Sequence, residues 1–219
     1  MTRTRILDAA QRLVIENGFA ATSVDQVITE SGTSKGAFFH HFSSKLDLAQ
    51  SLVDRYAAAD IAHLDEAVAH AAAQTDDPAR QVIEFVRFFE DGADELMSAQ
   101  SSCLYVSILT ERQLADSGTA TQIGRAIVAW RTALARMLHD ALAQLPAAPA
   151  VDPDALADHV FVTFEGAFIL CRSTSDSTHM RAQLTALRQL LEALLIPKVT
   201  RPARDRRPRR AAPPGRRQH

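Results

Sequence analysis

The stretch whose reading decides the fold is TSVDQVITESGTSKGAFFHHFSSK, residues 22–45. Ser23, with Gln26 three positions on, is a capping box that opens a short helix with Val24, Val27 and Ile28 on its apolar face. Ser31-Gly32 interrupts that helix after two turns, and Gly32 stands where the backbone needs a positive φ, which glycine adopts without steric cost. Ser34 caps a second short helix carrying Phe38, Phe39 and Phe42, and Ser44 with Asp47 opens the next. Two short helices joined by a glycine-containing turn make a rigid corner, a helix-turn-helix, whose second helix fits the DNA major groove.

The residue types in this corner suit nucleic acid. Thr33, Ser34 and Lys35 lead the second helix with short polar or basic groups fit for base edges and phosphates. Gly36 and Ala37 keep the helix slim where backbone and base approach, and Lys45 stands ready for a phosphate across the groove. The plainer reading of Ser34 and Lys35 is a helix cap and a solvated lysine. His40 and His41 are adjacent and so face different directions, a poor arrangement for a metal; His40 is expected toward phosphate and His41 inward.

Helical periodicity continues on both sides. Ile6, Leu7, Ala10, Leu13 and Val14 share one helix face. Asn17-Gly18 reads as a left-handed stop after which Phe19 folds back. From Ser44 a long segment carries Leu46, Ala49, Leu52, Val53, Tyr56, Leu64 and Val68. Asp77-Pro78 starts a helix bearing Val82, Phe85, Val86 and Phe89 that breaks at Gly92. Residues 104–114 are a shorter apolar stretch. Longer helices follow over about residues 119–145, 153–173 and 178–196, separated by a linker at 146–150. No strand-like alternation stands out, so the class is all-α. From Pro197 onward the chain holds five of its nine prolines and no apolar period, the composition of a disordered tail.

Charge divides the same way. The formal net charge of -2 is a neutral first 50 residues, a body of ten bases against twenty acids, and a tail of nine bases against one acid. Such asymmetry points to nucleic-acid contact without locating it. A hydrophobic content of 47% excludes wholesale disorder, and no apolar run reaches membrane-spanning length. The two cysteines, Cys103 and Cys171, are too few for a disulfide framework or a four-cysteine zinc site. No phosphate-binding glycine loop, HExxH motif or GxSxG elbow is present, so no catalytic residue, metal or cofactor is expected.

The corner resembles that of the TetR family of bacterial transcriptional regulators, whose pattern reads like TS-x-x-x-I-A-x-x-A-G-V-S-K-G-x-L-Y-x-H-F-x-S-K-x-x-L. The match runs through Thr22, Ser23, Gly32, Ser34, Lys35, Gly36, His41, Phe42, Ser44, Lys45 and Leu48. Thr33 stands for the usual Val, and Ile28 and Ser31 for small alanines. Phe39 stands for a Tyr whose hydroxyl reaches a phosphate in the family, so Phe39 is left with van der Waals contact. The resemblance covers about the first 50 residues.

It implies an N-terminal three-helix domain with the helix-turn-helix (1–50), a larger helical effector-binding and dimerisation domain (51–196) and a basic tail (197–219), about nine helices in all. The DNA contacts it implies are Thr33, Ser34, Lys35, Ala37, Phe39, His40 and Lys45. A ligand cavity is expected among Phe85, Phe89, Cys103, Trp130, Phe164, Glu165 and Phe168, about half of the body's aromatics being ordinary core. Dimer contacts are expected at Gly166, Ala167, Leu184, Leu187 and Leu191 on the last two helices, unless the leucine face only closes the monomer. His63 and His70 read as surface residues. The implied partners are a palindromic double-stranded operator, a small-molecule effector and a second copy of the chain, with no membrane. The implied place is the bacterial cytoplasm, on the nucleoid when DNA-bound. The function expected is a ligand-responsive regulator, a repressor. The rival reading is a helical small-molecule-binding protein or enzyme whose DNA-binding head is not its main activity.

Overall fold

In a computed structural model of the chain, residues 1–98, 119–147 and 149–196 are described. Cys103, the apolar stretch 104–114 and the basic tail lie outside them. Among the described residues are nine helices and no strand: α1 (Thr2–Asn17), α2 (Val24–Ser31), α3 (Lys35–His41), α4 (Lys45–Gln74), α5 (Pro78–Asp91), α6 (Ala93–Ser98), α7 (Thr119–Ala143), α8 (Pro153–Thr174) and α9 (Thr178–Leu195). None of the described helices is long and apolar enough to cross a membrane.

The helix starts follow local chemistry. The capping box at α2 is closed both ways, with the Ser23 hydroxyl accepting from the Gln26 N–H and the Gln26 side-chain oxygen accepting from the Ser23 N–H at 2.7 Å. Ser34 and Ser44 accept from the backbone of Ala37 and Asp47 at the starts of α3 and α4. Asp77-Pro78 and Asp152-Pro153 cap α5 and α8 with proline in the first turn. Gly32 has the left-handed conformation expected, φ 60° and ψ 36°. Gly18 corrects its expectation in part: φ is positive at 82°, but ψ is 160°, so the chain leaves α1 extended rather than left-handed.

Two apolar cores form. The first gathers Ile6, Leu7, Val14, Val27, Phe38, Phe42, Leu48 and Leu52, and recruits Ile123 and Ala126 from the start of α7. The second gathers Phe85, Phe89, Trp130, Leu138, Phe164 and Leu184 from α5, α7, α8 and α9. Helices α4 and α7 contribute to both cores. Glu90 of α5 accepts from Arg188 of α9 at 2.5 Å and from the Thr185 hydroxyl at 2.7 Å, and the guanidinium holds its carboxyl below the usual range.

The second core corrects the expected dimer contacts. Ala167, Leu184, Leu187 and Leu191 are at most 3% exposed within a single chain, so the leucine face closes the monomer and has no surface left to offer. Gly166 faces outward. With it on α8 stand Val162 and Ile169, and on α9 stands Leu190, all more than half exposed. Ala182, Ala186 and Ala193 share that outer face of α9.

Candidate functional site

The helix-turn-helix is held from the inside by α3. Phe38 and Phe42, one turn apart, are 0% and 1% exposed, which turns Lys35, Gly36, Phe39 and His40 outward. Phe39 is 48% exposed, a large apolar ring presented to solvent. Ala37 and His41 are half-buried. The Ser34 hydroxyl caps Ala37 at 3.1 Å as an acceptor, and its proton remains for a further partner. Thr33 pairs its hydroxyl with that of buried Ser31 at 2.8 Å, a contact that the family's usual Val-Ala pair lacks.

The basic groups of the head do two kinds of work. Arg5 of α1 donates to the carbonyl oxygens of Ser31 and Gly32, at 2.6 and 3.2 Å, and so clamps the turn. Lys45 places its ammonium 4.2 Å from the centre of the Phe19 ring and donates to the Ala20 carbonyl at 3.3 Å, while Lys35 is exposed. Arg3 lies over Phe42. Ser43 donates its N–H and its hydroxyl to Asp47, which lowers that carboxyl below its ordinary range.

The body holds a cavity of about 430 Å3 between α4, α5, α6, α7 and α8. Of the residues expected in it, Phe89, Trp130, Phe164, Glu165 and Phe168 line it. Phe85 does not. It is fully buried behind the wall, its ring 5.3 Å from Phe89 and 5.9 Å from Trp130. Cys103 is outside the described residues. Sequence reasoning missed Tyr56, Asp60, His63 and Glu66, which α4 brings into the lining. His63 is therefore a cavity residue, not a surface one, packed edge-on against Phe89 at 5.0 Å. The spacing of 56, 60 and 63 was the available signal, since these positions form a stripe beside the apolar face of α4.

The lining joins an aromatic wall to acids. Asp60 accepts from the Trp130 indole N–H at 3.1 Å. Burial pushes the Glu165 carboxyl up to about 7, and the negative charge of Asp60 adds to the rise. An apolar chamber with a few convergent polar groups is the usual form of a small-molecule site.

Comparisons with known proteins agree with this geometry. A model described as bacterial regulatory proteins of the tetR family matches residues 6–52, and a tetracyclin repressor-like C-terminal domain matches residues 78–187. The transcriptional regulator AcuR of Cereibacter sphaeroides is 26% identical over 165 residues, 75% of this chain and 73% of its own. The regulatory protein TetR from Rhodobacter sphaeroides superposes with a TM-score of 0.68 at 23% identity, over 88% of this chain and 98% of its own. FadR from Bacillus subtilis, solved in complex with stearoyl-CoA, superposes with a TM-score of 0.66 at 16% identity, over 86% of this chain and 96% of its own.

Proposed function

The chain belongs to the TetR family of bacterial regulatory proteins, and from that membership we propose a homodimeric repressor that leaves its operator when a small molecule fills the body cavity. One observation carries the coupling. Tyr56 packs in the head's core and also lines the cavity, while on α7 Ile123 and Ala126 sit in the head's core two turns and one turn before Trp130 in the cavity wall. Two helices thus carry residues of both the head's core and the cavity wall. A ligand that resets Tyr56 or Trp130 selects a different placement of the head, because packed interiors shift between discrete arrangements rather than deform.

The DNA contacts we assign are Ser34, Lys35, Phe39 and His40 from the outer side of α3, with Thr33 and Ala37 at its leading edge and Lys45 on the flanking backbone. The head, residues 1 to about 50, is neutral in sum, so its affinity rests on these few groups. One head reads one half-site, and two-fold symmetry supplies the second on a palindrome. The outer apolar face of Val162, Gly166, Ile169 and Leu190 supports pairing of α8 and α9 with a second copy. The protein acts by binding in the cytoplasm rather than by turnover. Linkage then requires the effector to favour the off-DNA state and DNA to weaken the effector by the same factor.

Sedimentation velocity of the protein with a palindromic duplex from upstream of its own gene, paired with footprinting, tests this. The expected result is two chains per duplex with protected half-sites about 34 Å apart. One chain per duplex, or no protection, would contradict it.

A further inference from the structure

Among the described lining residues of the cavity, the acids outnumber the bases. Three carboxylates, Asp60, Glu66 and Glu165, stand on its lining, and no Lys or Arg is among the described lining residues. Among the described lining residues, the one group able to turn positive is His63, on α4 beside Asp60 and Glu66. Glu165 reaches the cavity from α8 and has no hydrogen bond or ion pair among the described residues. The described lining residues of α5, α6 and α7 (Phe89, Leu96 and Trp130) carry no ionisable group.

The aromatic rings of the lining pack edge to face or tilted rather than in a flat stack. Phe89 and Phe164 meet edge to face at 5.1 Å, and Trp130 lies 5.4 Å from Phe89, 5.7 Å from Phe164 and 6.4 Å from Phe161. Ring faces are negative and hold a cation placed within about 6 Å of their centres. An anion here would lose its hydration and meet both the ring faces and the carboxylates. A neutral guest would leave the repulsion between Asp60 and Glu165 in place. A cation relieves it and finds the rings as well.

We propose that the ligand of this cavity is an organic cation, a protonated amine or quaternary ammonium on an aromatic or otherwise apolar body, with its charge seated between Asp60, Glu165 and the Trp130–Phe164 wall. The inference rests on the reading of the cavity as the effector site and adds the ligand's charge class. No group of three or more His, Cys, Asp or Glu able to hold a metal ion is found among the described residues. Burial holds the Glu165 carboxyl at about 7, so a cation beside it draws it into the ionised form, and binding near neutral pH releases a proton.

The test compares two probes of like shape and opposite charge, benzyltrimethylammonium and benzylsulfonate, on the full chain. Trp130 is the chain's one tryptophan and lies in the cavity wall, so its emission reports occupancy directly, and calorimetry supplies the affinities. The expected result is a cation at least about ten-fold tighter than the anion, with Glu165→Gln and, separately, Asp60→Asn each narrowing that gap several-fold. Equal affinities, or a tighter anion, overturn the charge class and leave the effector cavity standing. No response of Trp130 to either probe overturns both. A cation that binds tightly yet leaves DNA affinity unchanged upholds the charge class and contradicts the regulatory reading.

Discussion

Arg172, in the last turn of α8, donates a 3.0 Å hydrogen bond from its guanidinium to the carbonyl oxygen of Ile15, in the last turn of α1. The last four carbonyls of a helix lack intrahelical partners, and the C-terminal end of the helix dipole favours a cation, so the contact satisfies α1 where it needs satisfying. It also joins the helix carrying Glu165, two turns earlier, to the first helix of the reading head. Replacement Arg172→Gln is expected to cost about 1 kcal/mol, a fall in Tm of about 2–4 °C. Amide exchange is expected to quicken in the last turn of α1 and to stay unchanged in the cavity wall. A lowered Tm with unaltered exchange at α1 would show that the bond stabilises the fold without linking the two regions.

Gly32 and Arg5 form a second joint. A Cβ on Gly32 would stand 2.9 Å from the Arg5 guanidinium, and φ there is +60°. Gly32→Ala is expected to lose about 1–2 kcal/mol from the left-handed backbone alone. Arg5→Ala is expected to lose about 1 kcal/mol. Because the alanine already displaces the guanidinium, the double variant should cost less than the two single changes together, read from urea midpoints. Full additivity would mean that Arg5 does not hold the turn.

Three head residues separate by the kind of contact they make. Lys45→Ala is expected to weaken binding alike across sequences and to lower the salt slope by about one. It also gives up the Phe19 contact, about 0.5–1 kcal/mol of stability, so melts are run beside the binding curves. Changes at Thr33 or Lys35 should alter sequence preference as well as affinity, measured by selection from a randomised duplex. Equal and negligible effects at all three positions would remove them from the interface.

Much of this was legible beforehand, and the pattern of success has a physical cause. Ser23, Ser34, Ser44 and Asp77 act on backbone groups two or three residues away, so their effect is written in short spacing. Contacts between distant parts of the chain were not visible. Nothing local to Arg5 announces that it reaches the carbonyls of Ser31 and Gly32, and the spacing of 56, 60 and 63 marks a stripe on α4 without saying that a cavity lies against it. Leu184, Leu187 and Leu191 show the same limit. An apolar helical stripe says that a face is covered, and only the packing of α5 against α9 says that the cover comes from the same chain.

Glu165 makes stability depend on pH with a definite sign. Its folded value of about 7 lies above the ordinary 4.5, so the folded state holds the proton more tightly than the unfolded one. Stability contributed by this group is present below about pH 4.5 and falls as pH rises toward 7, by on the order of 3 kcal/mol at full effect. Glu165→Gln should therefore match the parent near pH 4 and exceed it in Tm near pH 8. A variant no more stable than the parent at pH 8 would show that the carboxyl is not strained by its burial.

Fluorescence anisotropy of a labelled palindromic duplex from upstream of the gene, titrated with protein at salt between about 50 and 200 mM, puts the regulatory reading to its plainest trial. Saturable binding is expected, with log affinity falling linearly against log salt, stronger than to a scrambled duplex of equal length. Absent binding, or an affinity indifferent to salt, would contradict a head that reads DNA through Lys35, Lys45 and the outer face of α3.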